Sequence, residues 1–67
     1  MLITYKNQSP INLANTEYIN FKTVENAGII NFRFKHEYYQ WKFSDPLEGE
    51  KVFKVIEKMY YTEIKIE

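Results

Sequence analysis

The sequence has no cysteine, which excludes disulfide bridges and thiolate metal sites. It has one histidine, His36, so no histidine cluster can form. Two glycines are too few for a phosphate-cradling loop. The spacings G-x-x-x-x-G-K-[ST], G-x-G-x-x-G and H-E-x-x-H and the EF-hand loop are all missing. No apolar run approaches the roughly 18 residues of a membrane helix. The opening "MLITYKNQSP" has neither the basic nor the apolar part of a secretory signal. The expected compartment is the cytoplasm, and the lack of cysteine agrees with a reducing one. Arginine occurs once and alanine twice, beside eight Ile, eight Lys, six Asn and six Tyr. That bias resembles translation of an AT-rich genome, bacterial or phage, and reports on codons more than on activity.

Charge of one sign is also missing, since the formal net charge is zero. It is unevenly spread. Residues 1–44 carry five basic side chains against three acidic ones, giving +2, and residues 45–67 carry four against six, giving −2. Nucleic-acid-binding domains usually have a stronger basic excess.

What is present suffices for one small domain over residues 1–67. Hydrophobic residues make up 45% and aromatic residues 18%, which argues against disorder. A chain this short buries a modest share of its surface, and without disulfides or metal self-association is the usual supplement.

Alternation at period two predicts strands. "LITYK" (2–6) puts Ile3 and Tyr5 on one side, and "INLA" (11–14) puts Ile11 and Leu13 together. "EYINFK" (17–22) opposes Ile19 and Phe21 to Tyr18, Asn20 and Lys22. "VENAG" (24–28) reads as a turn, with Asn26 and Gly28 tolerant of positive φ. "IINFRF" (29–34) opposes Ile30, Phe32 and Phe34 to Ile29, Asn31 and Arg33. In "YYQWKF" (38–43), Tyr39, Trp41 and Phe43 fall on the apolar face and Tyr38, Gln40 and Lys42 on the other. Coincident apolar faces on successive strands are the inner face of an antiparallel sheet, which makes Tyr39, Trp41 and Phe43 core.

A helix is predicted from Pro46. Asp45 fits the N-cap, Pro46 the first turn and Glu48 the third position, while Glu48 and Glu50 suit the positive end of the dipole. Val52, Val55, Ile56 and Met59 form the apolar stripe, extended by Leu47 and widened by Phe53 and Tyr60. Gly49 within the first turns costs about 1 kcal/mol relative to Ala. "TEIKIE" (62–67) alternates and favours a final strand over continuation of the helix.

The expected fold is α+β: an antiparallel meander of four to five strands, one C-terminal helix packed on its inner face, and a short last strand. This element order resembles that of the dimeric transcriptional-coactivator family of single-strand binders. The similarity is one of order, without a shared residue motif.

No catalytic constellation emerges. Thr4, Thr23 and Ser44 lack an activating partner, His36 beside Glu37 reads as a solvated turn, and Glu48 and Glu50 fall on different sides of a helix. The chain is therefore expected to be a non-enzymatic binding protein without cofactor or metal. The first expectation is a homodimer acting through protein contacts, as an accessory factor or phage-type inhibitor. Its interface would draw on Tyr18, Ile29, Phe53, Tyr60 and Tyr61, because Leu2, Tyr38 and these side chains exceed what one helix can cover. The alternative is single-stranded nucleic-acid binding on the outer sheet face through Lys22, Arg33, Lys42 and Tyr38.

Overall fold

The computed structural model describes residues 1–64. The α+β class holds, but the strands form two antiparallel sheets. Strands β1 (Leu2–Ile3) and β2 (Ile11–Asn12) pair with each other, Leu2 opposite Asn12 and Ile3 opposite Ile11. Strands β3 (Tyr18–Val24), β4 (Ala27–Arg33) and β5 (Tyr38–Phe43) form a three-stranded meander with β4 in the middle. Helix α1 spans Pro46–Met59.

Local chemistry explains why the expected single sheet is divided. Lys6 has φ 45°, a left-handed conformation that ends an extended run. Asn12 caps a 3-10 turn at Leu13–Asn15, its side chain accepting from the Ala14 N–H at 3.1 Å. Both early strands are thereby cut to two residues. Side chains then join this N-terminal arm, residues 1–12, to the main sheet: the Trp41 indole N–H donates to the Ser9 carbonyl at 2.7 Å, and Gln8 Nε2 donates to the Lys42 carbonyl at 2.7 Å. The arm thus lies over the outer edge of β5, whereas β3 is the other edge of the sheet.

The β3–β4 turn is tighter than "VENAG" suggests. Val24 pairs with Ala27, leaving Glu25 and Asn26 as a two-residue loop. Positive φ falls on Glu25, at 56°, and not on Asn26 or Gly28. A positive φ at the first central position is the primed geometry that matches strand twist. Gly28 lies inside β4, where a Cβ would meet Phe21 at 3.0 Å and the Pro46 Cα at 3.1 Å. Its role is to let the helix start approach the sheet.

The core comprises Ile11, Leu13, Ile19, Ile30, Phe32, Trp41, Phe43, Ile56 and Tyr60. Trp41 meets Phe32 edge-on at 5.1 Å between ring centroids. Tyr39, expected in this core, is 46% exposed. It lies at the start of β5, its ring edge-on to half-buried Phe34 at 5.4 Å and its hydroxyl donating to Glu37 at 2.8 Å. That bond to a carboxylate raises the Tyr39 pKa.

Helix α1 begins as read: Asp45 accepts from the Leu47 N–H at 3.0 Å, with Pro46 next. Its buried stripe is rotated from the expected one. Gly49, Ile56 and Tyr60 are buried, with Val52, Phe53 and Met59 partly so, whereas Leu47 and Val55 are 66% and 61% exposed. The cause is Gly49, which seats the first turns directly on Phe21 and Phe43 and turns the 49–53–56–60 row toward the sheet. Phe53 stacks on Phe21 at 5.8 Å. Instead of breaking into a strand at residue 62, the chain continues as a π-helical turn over Tyr60–Ile64. The rest of the expected last strand, residues 65–67, lies outside the described residues. No helix among the described residues is long and apolar enough to cross a membrane.

Candidate functional site

The register places the polar side chains of the three-stranded sheet in three rows across its outer face. One row is Tyr18–Arg33–Tyr38, the next Asn20–Asn31–Gln40, the last Lys22–Ile29–Lys42. Residues on alternate positions of each strand share this face, so Lys22, Arg33, Lys42 and Tyr38 do come together there. Tyr18 and Ile29, expected at a subunit interface, join them.

The middle row is an amide ladder. Asn31 Nδ2 donates to Asn20 Oδ1 at 2.9 Å, and Gln40 Nε2 donates to Asn31 Oδ1 at 2.9 Å. Each amide keeps further donor or acceptor capacity pointing away from the sheet. The ladder holds three side chains in fixed positions at the centre of the face. Only the register reveals it; had the turn been fixed on Glu25 and Asn26, the pairing of Asn20 with Asn31 would have been readable from the sequence.

Charge on this face has one sign. Lys22, Arg33 and Lys42 are exposed, and among the described residues none makes an ion pair; the pairs found are Lys6–Glu48 and Lys54–Glu50. None of the nine residues in the rows is acidic. Tyr18 and Tyr38, 51% and 65% exposed, flank Arg33 and stack on no other ring among the described residues. Seven of the nine row residues, all but Ile29 and Lys42, border a shallow depression of about 260 Å³.

No family model, curated protein or solved structure matches this chain.

The remaining expected interface residues lie elsewhere. Tyr60 is in the core at 1% exposure, its hydroxyl donating to the Thr16 carbonyl at 2.8 Å. Burial raises its pKa, with smaller contributions from Tyr61 and Glu17. Phe53 is held against Phe21. Tyr61 is half exposed beside the Tyr60 ring. Neither Phe53 nor Tyr60 is part of the uncovered apolar surface that the sequence suggested.

A different apolar surface, which the sequence did not suggest, lies on the opposite side of the sheet. An apolar groove of about 340 Å³ runs between β1 and α1, with Trp41 and Ile56 at its base and Ile3, Tyr5, Val52 and Val55 among its walls. One end is tied by a cluster that the sequence did not suggest. The Tyr5 hydroxyl donates to Glu48 at 2.5 Å, and Lys6 Nζ meets the same oxygen at 2.8 Å. The Lys6 bond, then the Tyr5 bond, holds the Glu48 carboxyl below its ordinary value; the same bonds raise the Lys6 and Tyr5 pKa values. His36 lies exposed in the β4–β5 loop, which is closed by the Phe34 N–H donating to the Glu37 carbonyl at 2.6 Å. Among the described residues no group of three His, Cys, Asp or Glu side chains is placed to hold a metal ion.

Proposed function

We propose that this chain is a non-enzymatic binding protein whose working surface is the outer face of the three-stranded sheet and whose partner is anionic. The observation that carries this is the set of three exposed cations, Lys22, Arg33 and Lys42, on a face with no carboxylate and no ion pair among the described residues. Cations left unpaired on a rigid sheet are preorganised for an external anion and steer its approach. Composition alone favoured a protein partner because the overall charge is balanced; the local imbalance on one face supports an anionic one instead. The test is retention on immobilised heparin at low salt. The Lys22→Gln/Arg33→Gln/Lys42→Gln variant should lose retention while keeping its fold. Equal retention of the two proteins would overturn the assignment.

A second reading, the homodimer, draws on the apolar groove between β1 and α1, where Val55 is 61% exposed. Self-association there would cover apolar surface and leave the basic sheet face open, so the two readings are compatible. Sedimentation at micromolar concentration checks it: a dimer that Val55→Asp dissociates is expected, and a mass of one chain for the unaltered protein would refute it.

A further inference from the structure

The chemistry of the outer face narrows its anionic partner. We infer that the face binds single-stranded nucleic acid, with unpaired bases stacking on Tyr18 and Tyr38 while Arg33, Lys22 and Lys42 hold the phosphates; this rests on the anionic-partner proposal above.

The argument starts from the two tyrosines. They occupy equivalent positions on the two edge strands, both opposite Arg33 on β4. Two strand spacings put them about 10 Å apart. Both rings are more than half exposed, and neither has an aromatic partner among the described residues. An exposed ring beside a cation is the pairing that a base and its phosphate use together: the ring takes the base face and the cation the backbone charge. A double helix would meet these rings with phosphates and sugars, its bases already stacked on one another. An acidic polypeptide would satisfy the cations but has no flat apolar face for each ring to stack on.

The rest of the face fits the same occupant. Lys22 and Lys42 lie four residues along the strands from the tyrosine row, about 14 Å away. Between them the amide ladder presents neutral donors and acceptors, the groups that meet the polar edges of bases laid over the centre of the sheet. Ile29 sits between the two lysines and is half buried. Phosphates held by Arg33 at one end and by Lys22 and Lys42 at the other, with bases on the tyrosines and across the amide row, describe a site for a few nucleotides.

The magnitude expected is modest. Three phosphate contacts on a single strand give a slope of about −2 in log affinity against log salt, or a roughly twentyfold loss from about 50 to about 200 mM. Removing one stacking ring should weaken binding by roughly five- to 150-fold.

The experiment titrates the full chain with three probes at matched charge: a short oligothymidylate, a duplex and polyglutamate. Trp41, buried and bonded to Ser9, reports through its fluorescence that each variant is folded. Oligothymidylate is expected to bind tightest. Tyr18→Leu and Tyr38→Leu should each weaken it within the range above without changing the salt slope, and Tyr→Phe at either position should restore it. Arg33→Gln should instead flatten the slope. In a Tyr18→Trp variant the exposed indole should be quenched on binding. If the duplex or polyglutamate binds as tightly as oligothymidylate, or if both leucine variants bind like the unaltered protein, the single-strand inference fails and the anionic-partner proposal stands. If none of the three probes binds, both fail.

Discussion

Replacing Gly49 with alanine sets helix propensity against packing. Alanine in a helix is favoured over glycine by about 1 kcal/mol, so the sequence alone expects Gly49→Ala to stabilise the protein. The structure expects the reverse. A Cβ at position 49 would lie 3.1 Å from Phe21 Cε1, 3.1 Å from Phe43 Cδ1 and 3.2 Å from Phe43 Cγ. These contacts are several tenths of an ångström inside ordinary carbon–carbon distance. Neither ring is free to retreat. Phe43 is 5% exposed and tilted against Tyr5 at 5.7 Å. Phe21 is stacked on Phe53, with Gly28 already in close approach behind it. Forcing an extra carbon into such a contact costs about 1–3 kcal/mol. Against the propensity gain, the net loss is about 1 kcal/mol, a fall in melting temperature of roughly 4–8 °C for a domain of this size. Thermal unfolding followed by circular dichroism measures it. In a Phe21→Leu background the clash is relieved, and alanine should there be neutral or favourable. A rise in melting temperature for Gly49→Ala alone, or the same change in both backgrounds, would refute the packing argument.

Two further substitutions probe the ties between the arm, the helix and the sheet. Tyr60→Phe removes the buried bond to the Thr16 carbonyl; a loss of about 1–2 kcal/mol is expected, seen as a lower urea midpoint at unchanged slope. Glu48→Gln tests the acid limb of stability. The Glu48 pKa is lowered in the folded chain, so its contribution is present above the ordinary carboxylate value and is lost as pH falls through the folded one. The unaltered protein should lose stability over that range more steeply than the glutamine variant, and parallel curves in acid denaturation would contradict the role given to this carboxylate.

The inner sheet face was legible because period two leaves little choice. Ile19, Ile30, Phe32, Trp41 and Phe43 are all buried, each where alternation put it. Tyr39 obeyed the same alternation yet is exposed, because alternation says which side a residue faces and not whether anything lies over it. The helix was legible in its start but not in its end, which runs on as a π-helical turn to Ile64, nor in its rotation. Two apolar rows were available, one through Val55 and one through Phe53 and Tyr60, and both share Ile56. The choice between them was made by Gly49, whose missing side chain carries no hydrophobic signal. The early strands were overextended because the capping role of Asn12 and the positive φ of Lys6 are set by local geometry that alternation does not register. On the outer face the residue types were readable, but their rows were not, since these depend on a register fixed by a two-residue turn at Glu25 and Asn26. The Tyr5–Lys6–Glu48 cluster joins residues more than 40 positions apart and has no signature within either segment.

The arm across β5 also limits how copies of this molecule can line up. A β-strand rim with open N–H and C=O groups invites another strand, and a sheet with two such rims can grow into a filament. Here Gln8 occupies the Lys42 carbonyl of β5, and β3 is the other edge of the sheet. Two molecules meeting rim to rim along β3 would put the two β5 strands at the ends of a six-stranded layer, where a further strand would have to displace Gln8 from the Lys42 carbonyl before it could add.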